Sequence, residues 1–376
     1  MQSFIDAPDD IIEQIIDAVC DDFSSSLALS LCCKTLRRFT ERRIFSSLFL
    51  GGSPPRSKAS TLKSRCTDLH AILSANPGLA SSIKTISINQ PMQRTENGMW
   101  ICNNPILVDV LEKLSSSPVS SLTITSHFQP EPEWASLCAR FRASLHPILR
   151  QPTFQKLKIS GIQNVSRELY SHCPNLRSLE ISLLASKIPS CSTSVLKDLG
   201  RHDLNCLSTL KINLGFPIQS FRDDLPYRDV RIYGPTIKEL RIACPFVPDS
   251  ASKVDLSHLR SLTSLDMSYT RLPLDFLTRS LETIPSGHPT LKHIRIAFWP
   301  PNCDYDPTNL TFRLFVGCLT RLREPLLRLH RSSKGILQSI CIRIWTPLGL
   351  SVQSFEEYTR SSLTWDHSEN VLKVEF

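Results

Sequence analysis

One short unit returns along most of this 376-residue chain: an aliphatic, two variable residues, an aliphatic, one variable residue and a last aliphatic. It is written as Ile83/Ile86/Ile88, Val119/Leu122/Ile124, Phe154/Leu157/Ile159, Leu176/Leu179/Ile181, Leu207/Leu210/Ile212, Ile237/Leu240/Ile242, Leu262/Leu265/Met267, Leu291/Ile294/Ile296 and Leu337/Ile340/Ile342. A truncated tenth copy closes the chain at Leu372/Val374/Phe376. The alternating end of each unit reads as a short strand with one apolar face. A lone strand of that length is unstable, so the copies must cover one another. The middle aliphatics lie 22 to 46 residues apart, near the 20 to 29 of a leucine-rich repeat with insertions. Between them, Leu107/Val110/Leu111/Leu114 and Leu274/Leu277/Leu281/Ile284 recur at helical spacing. Several copies share a preceding phrase, as in Cys173-Pro174-Asn175-Leu176 and His288-Pro289-Thr290-Leu291, with Asn76-Pro77-Gly78-Leu79 close to it. Strand, turn and helix in that order predict an irregular, curved leucine-rich-repeat solenoid, a horseshoe with its strands on the inner surface. Segments rich in Pro, Asn and Gly, namely Asn89 to Pro105, Phe128 to Trp134 and Trp299 to Pro307, read as loops on its rim.

Composition removes several classes of function. There is no G-x-G-x-x-G, G-x-x-x-x-G-K-[ST], G-x-S-x-G or H-E-x-x-H, and only 12 Gly are present, so no phosphate cradle or catalytic motif is written locally. The 13 Cys include no C-x-x-C, which leaves no zinc or redox spacing and no expected metal or cofactor. Cys32 and Cys33 are adjacent, and such a pair forms only a strained disulfide. His288 and His293 read as surface residues, not metal ligands. The N-terminus is acidic and no 18-residue apolar run occurs. This predicts neither a targeting peptide nor a membrane span, and a reducing cytoplasmic or nuclear setting. Asn164-Val165-Ser166 and Asn309-Leu310-Thr311 are then chance matches to the glycosylation sequon. The formal charge of +8 is uneven: residues 1 to 33 carry seven acids and no base, whereas 34 to 65 carry nine bases and one acid. Without interleaved aromatics or a recognition motif, this split argues against a nucleic-acid partner.

The N-terminal region has its own pattern. Pro8 suits a helix start, Asp9 and Asp10 favour the positive end of its dipole, and Ile11, Ile12, Ile15, Ile16 and Val19 follow at helical spacing. This stripe is wider than a short helix needs to anchor itself, so part of it is expected to face a partner. A second run follows as Leu29-Ser30-Leu31-Cys32-Cys33-Lys34, then Leu36 and Phe39. From about Phe4 to Phe45 the order of these residues resembles the F-box, with Ala7, Asp10 and Cys32 at positions where that family usually carries Leu, Glu and Val. The joint pattern of this module and degenerate leucine-rich repeats resembles the large F-box families of filamentous and mushroom-forming fungi. That resemblance implies a Skp-type adaptor, and through it a cullin, bound by Pro8, Ile11, Ile12, Ile15, Ile16, Leu29, Leu31, Cys33 and Lys34.

The expected organisation is therefore α/β: a short, all-helical F-box-like module over residues 1–50, a linking helix over 51–80, and the solenoid over 81–376. Helices are expected over Arg37 to Leu50 and Leu62 to Leu79, with Cys32 and Cys33 on a packed helix. The variable residue between the last two aliphatics of each unit reads Ser87, Thr123, Lys158, Glu180, Lys211, Arg241, Asp266, Arg295 and Cys341. If these share one face, Lys158, Lys211, Arg241 and Arg295 are candidates for holding an acidic protein client. Two non-enzymatic roles fit. One is the substrate receptor of a ubiquitin ligase; the other is an interaction scaffold whose N-terminal helices cap the solenoid. A capping hairpin would bury Ile11, Ile15 and Leu31, whereas a docking module would leave part of that stripe open.

Overall fold

Parallel strands cannot be joined by tight turns and need crossovers of a dozen residues or more, a requirement the long intervals between units satisfy. In the computed structural model, each unit is one strand of a parallel sheet. The structure describes residues 8–19, 23–51, 59–90, 100–127, 132–162, 165–166, 168–171, 173–183, 206–214, 235–244, 253–269, 274–298, 310–344, 357, 360–363 and 371–375. The chain forms two compact units: Met1–Gly161 with Ser166–Asn175, and Ile162–Val165 with Leu176–Phe376.

The first unit opens with helices α1 (Asp9–Val19), α2 (Phe23–Cys32) and α3 (Lys34–Ile44). It continues through β1 (Ser47–Gly51), α4 (Ala59–Ala75), β2 (Thr85–Gln90), α5 (Trp100–Asn103), α6 (Pro105–Lys113), β3 (Ser121–Ser126), α7 (Ala139–Leu149), β4 (Lys156–Ser160) and α8 (Glu168–Ser171). Its strands pair in chain order, with Leu48 beside Ile86, Ile86 beside Leu122 and Leu122 beside Leu157. The second unit carries β5 (Ser178–Leu183), β6 (Thr209–Leu214), β7 (Glu239–Cys244), β8 (Ser264–Tyr269), β9 (His293–Phe298), β10 (Ser339–Ile344) and β11 (Leu372–Glu375), again parallel and in chain order. Helices Leu274–Glu282 and Leu310–Ser332 lie between its later strands. In both units the repeated aliphatics form the core: Ile86, Leu122, Ile124, Leu240, Leu265, Ile294 and Ile340 are all buried. Leu107, Val110, Leu111 and Leu114 are likewise buried, as are Leu277, Leu281 and Ile284.

Successive strands are joined ahead of their ladders by a repeated main-chain contact. In the first unit the carbonyl of Ser46 accepts from the N–H groups of Lys84 and Thr85, that of Lys84 from Ser120 and Ser121, and that of Ser120 from Gln155 and Lys156. In the second unit Arg177, Ser208, Lys238, Thr263 and Lys292 each serve the next strand in the same way. Side chains of the preceding turns add to it. Asn175 Nδ2 donates to the Pro152 carbonyl at 2.7 Å, and Thr290 Oγ1 to the Leu262 carbonyl at 2.9 Å. In these two copies the recurring phrase is thus a polar clasp onto the previous repeat. The residue before its proline is buried, Cys173 in one copy and His288 in the other. His288 is therefore not a surface residue: its Nε2 lies 2.8 Å from the Leu259 carbonyl. Burial alone pushes the Cys173 thiol up to about 12, and burial, opposed by a hydrogen bond with Asn104, holds Cys66 at about 11.

Several expectations change. A helix running from Arg37 to Leu50 ends instead at Ile44, and Ser47–Gly51 is a strand on β2. Leu48 and Leu50 alternate with Ser47 and Phe49, and pairing with a neighbour decides a segment too short for its pattern to be read alone. Gly51 (φ +145°) is required there, since a Cβ would lie 2.2 Å from the Asn89 carbonyl; Gly161 (φ +67°) meets the Ser126 carbonyl in the same way after β4. The helix expected over Leu62 to Leu79 stops at Ala75, because Asn76 precedes Pro77 and is driven out of the α region; a 3₁₀ turn follows over Pro77–Ser82. Within the Asn89 to Pro105 stretch, Trp100 and Ile101 fold inward and are buried, the Ile101 N–H donating to Gln90 Oε1 at 2.9 Å. Trp134 is buried too. The Trp299 to Pro307 loop, residues 91–99 and 128–131, Asn164, Asn309 and Phe376 lie outside the described residues.

Ile124 is fully buried while its neighbour Thr123 lies on the other face. Ile124→Ala is expected to cost about 2–5 kcal/mol in urea unfolding, and Thr123→Ala to stay within about 0.5 kcal/mol of wild type. Equal costs would contradict the assigned faces.

Candidate functional surfaces

The N-terminal helices divide their own apolar residues between two faces. Pro8 stands at the start of α1, its carbonyl accepting from the N–H groups of Ile11 and Ile12. Two sets of aliphatics, at consecutive positions and so about 100° apart around the helix, then face different ways. Ile12 and Ile16 are buried with Phe39 of α3, and Leu29 of α2 and Leu36 of α3 pack against that cluster. Ile11, Ile15 and Val19 are 41%, 38% and 58% exposed, and on α2 Leu27 and Leu31 are 45% and 81% exposed. Of the nine residues assigned to adaptor contact, Ile12 and Ile16 therefore serve the module's own core, and Leu29 is half-buried beside it.

Charge secures the same arrangement. Along α1, Asp9, Glu13 and Asp17 meet Arg38, Arg42 and Arg43 of α3 at 2.5, 3.0 and 2.7 Å. Each such surface pair contributes about 0.2–1 kcal/mol, and together they set the register of one helix on the other. Three acids of the acidic stretch and three arginines of the basic one thus form the two sides of this seam. Arg38 also lies over the Phe39 ring, 5.1 Å from its centroid. Cys32 ends α2 exposed, and Cys33 sits between helices in an extended conformation, its Sγ accepting from the Leu36 N–H at 3.5 Å. Neither cysteine lies inside a packed helix as expected, because α2 ends at Cys32 and Cys33 caps the next helix. Cys33 instead acts as the N-cap of α3, and Lys34, its first residue, is exposed.

The second surface is the outer face of the strands. Within each unit, register places the variable residues in a row, as the spacing predicted. Ser87, Thr123 and Lys158 are neighbours in the first unit, and Glu180, Lys211, Arg241, Asp266, Arg295 and Cys341 in the second, followed there by Lys373. The first unit's row is flanked by hydroxyls and amides such as Thr85, Asn89, Ser121 and Thr125. In the second unit the charges are largely matched. Arg241 Nε lies 3.7 Å from Asp266 Oδ2, while Lys373 and Arg343 both engage Glu375. Those two cations, Lys373 foremost, hold the Glu375 carboxyl down to about 2. The Cys341 thiol is raised, chiefly by burial and then by Glu375, so the guanidinium groups beside it do not make it a thiolate.

Among the described residues no group of three or more His, Cys, Asp or Glu side chains is placed to hold a metal ion. No described helix is long and apolar enough to cross a membrane. No protein-family model and no curated protein matches the chain. Among solved structures, an internalin (inlF) from Listeria monocytogenes is similar over 94% of this chain and 64% of its own, with 11% sequence identity and a TM-score of 0.31. The chain thus spans less than two thirds of that protein's length, and so distant a likeness decides neither fold nor function.

Two measurements probe these surfaces. Ile12→Ala is expected to raise amide exchange throughout α1, since a buried Ile→Ala change costs about 2–5 kcal/mol; Ile15→Ala is expected to leave exchange unchanged. A depressed carboxyl contributes fully above its unfolded pKa of 4.5 and loses that contribution as pH falls through about 2. Protection of the β11 amides, corrected for intrinsic exchange, should therefore fall across that window in wild type and show no such transition in Glu375→Gln. A common profile would contradict the role given to Glu375.

Proposed function

We propose that this chain is the client-recognition subunit of a cullin-RING (SCF-type) ubiquitin ligase. The N-terminal helices dock a Skp-type adaptor that brings the cullin, and a leucine-rich-repeat solenoid of the horseshoe type holds a protein client on its strand face. The observation that carries this reading is the division of the α1 aliphatics. Ile12 and Ile16 suffice for the module's core, which leaves Ile11, Ile15 and Val19, with Leu27 and Leu31 of α2, at 38% to 81% exposure. A hairpin that only covered the end of a repeat array would bury Ile11, Ile15 and Leu31. Large apolar side chains held open on two helices of one module fit a partner instead. The strand face adds a broad polar surface of single, outward-pointing residues, suited to reading a protein segment. In this role the chain does no chemistry. It raises the local concentration of a client near the ubiquitin-loaded enzyme.

Co-expression with a Skp-type adaptor tests the reading, and wild type is expected to retain it through purification. Ile15→Glu with Leu31→Glu replaces two exposed side chains whose burial on docking contributes about 1–2 kcal/mol each. Adaptor affinity should fall roughly tenfold or more with no change in the thermal unfolding of the free chain. A wild-type chain that retains no adaptor removes the ligase assignment and leaves an interaction scaffold.

A further inference from the structure

The charges on the second unit's strand face are not equally available. Arg241 is turned to Asp266, and Arg343 and Lys373 share Glu375. Lys211 on β6 and Arg295 on β9 have no carboxylate at ion-pair distance among the described residues, although Glu180 and Asp266 stand beside them in register. They occupy the same position in their strands, three strand steps apart, with Arg241 and Asp266 between them. Neighbouring strands lie ~4.8 Å apart, so the two cations are separated by about 14 Å.

An extended polypeptide advances ~3.4 Å per residue and turns every second side chain to the same side. Residues i and i+4 of such a segment lie about 14 Å apart on one face. A spacing of two residues reaches only about 7 Å, and a spacing of six overshoots to about 20 Å. We propose that Lys211 and Arg295 together read an extended acidic segment of the client, laid across the strands, with Asp or Glu at positions i and i+4. Residue i+2 then rests over the Arg241–Asp266 pair, where a neutral polar side chain disturbs neither charge. The proposal rests on the reading of this face as the client-holding surface, and adds the chemistry and spacing that it selects.

The test uses the full-length chain and fluorescein-labelled Ser/Thr-rich peptides carrying two Asp residues at i,i+2, i,i+4 or i,i+6, all of one length and net charge. Fluorescence anisotropy should show the i,i+4 peptide bound about twofold to fivefold more tightly than the others, the range that one further exposed ion pair supplies. Lys211→Ala and Arg295→Ala should each abolish that preference, whereas Lys238→Ala, an exposed cation off the row, should keep it. The double variant Lys211→Glu with Arg295→Glu should instead prefer a peptide with Lys at i and i+4. No measurable binding, equal binding at all three spacings, a preference that survives both alanine variants, or tighter binding of a single-stranded oligothymidylate overturns the proposal. Retention of the Skp-type adaptor is measured on the same variants and should be unchanged. Spacing selectivity in a chain that captures no adaptor removes the ligase assignment and leaves this surface standing. Adaptor capture without spacing selectivity does the reverse.

Discussion

Everything in the strands of both units depends on the fact that a five- or six-residue strand with one apolar face has no stability of its own. Burying a pair such as Leu122 and Ile124 contributes about 1.5–3 kcal/mol per side chain, and that burial exists only when strands on either side complete the apolar layer. The main-chain clasp ahead of each ladder enforces the completion. A single carbonyl, such as that of Lys84 or Lys238, takes two consecutive N–H groups from the next repeat, so each strand starts level with its predecessor. Strict register then follows, since a one-residue slip would expose the aliphatics and bury the variable positions.

The same principle of divided faces operates on a smaller scale at the N-terminus. Five aliphatics on α1 exceed what one helix can bury against α2 and α3, and the ion pairs of Asp9, Glu13 and Asp17 with Arg38, Arg42 and Arg43 select which ones go inward. Ile12 and Ile16 become core, and Ile11 and Ile15 remain at the surface. Part of the charge asymmetry of the first 65 residues is thus a packing device, three acids of α1 meeting three arginines of α3 within one module.

Much of this was legible in the residues. The nine x-Leu-x-Ile units are strands, the tenth at Leu372 and Val374 is one as well, and the helices over Leu107 to Leu114 and Leu274 to Ile284 follow their 3.6-residue period closely. What escaped had weak or competing local signals. The strand at Ser47–Gly51 lacks the full repeat unit and adjoins a genuine helix, so only its partner β2 identifies it. Trp100 sits among loop-forming residues, yet its large ring has apolar surface to bury, and the chain folds back to bury it. His288 reads as polar but fills a slot that Cys173 fills in another repeat, its ring nitrogen meeting a buried carbonyl.

By itself, the sequence determined the kind of fold: period-2 aliphatics at long intervals can satisfy their apolar faces only by stacking in chain order. It also determined which residues stand on the outward row, because alternation along a strand is fixed by the pleat. Tertiary structure alone decided which members of each set are available. Whether Ile11 or Ile12 is buried depends on which face of α1 meets Phe39. Whether a cation on the row is already matched depends on which carboxylate a neighbouring strand brings within reach, as Asp266 comes to Arg241 but no such partner comes to Arg295 among the described residues. Burial and ion pairing are properties of neighbours distant in the chain, and local pattern carries no record of them.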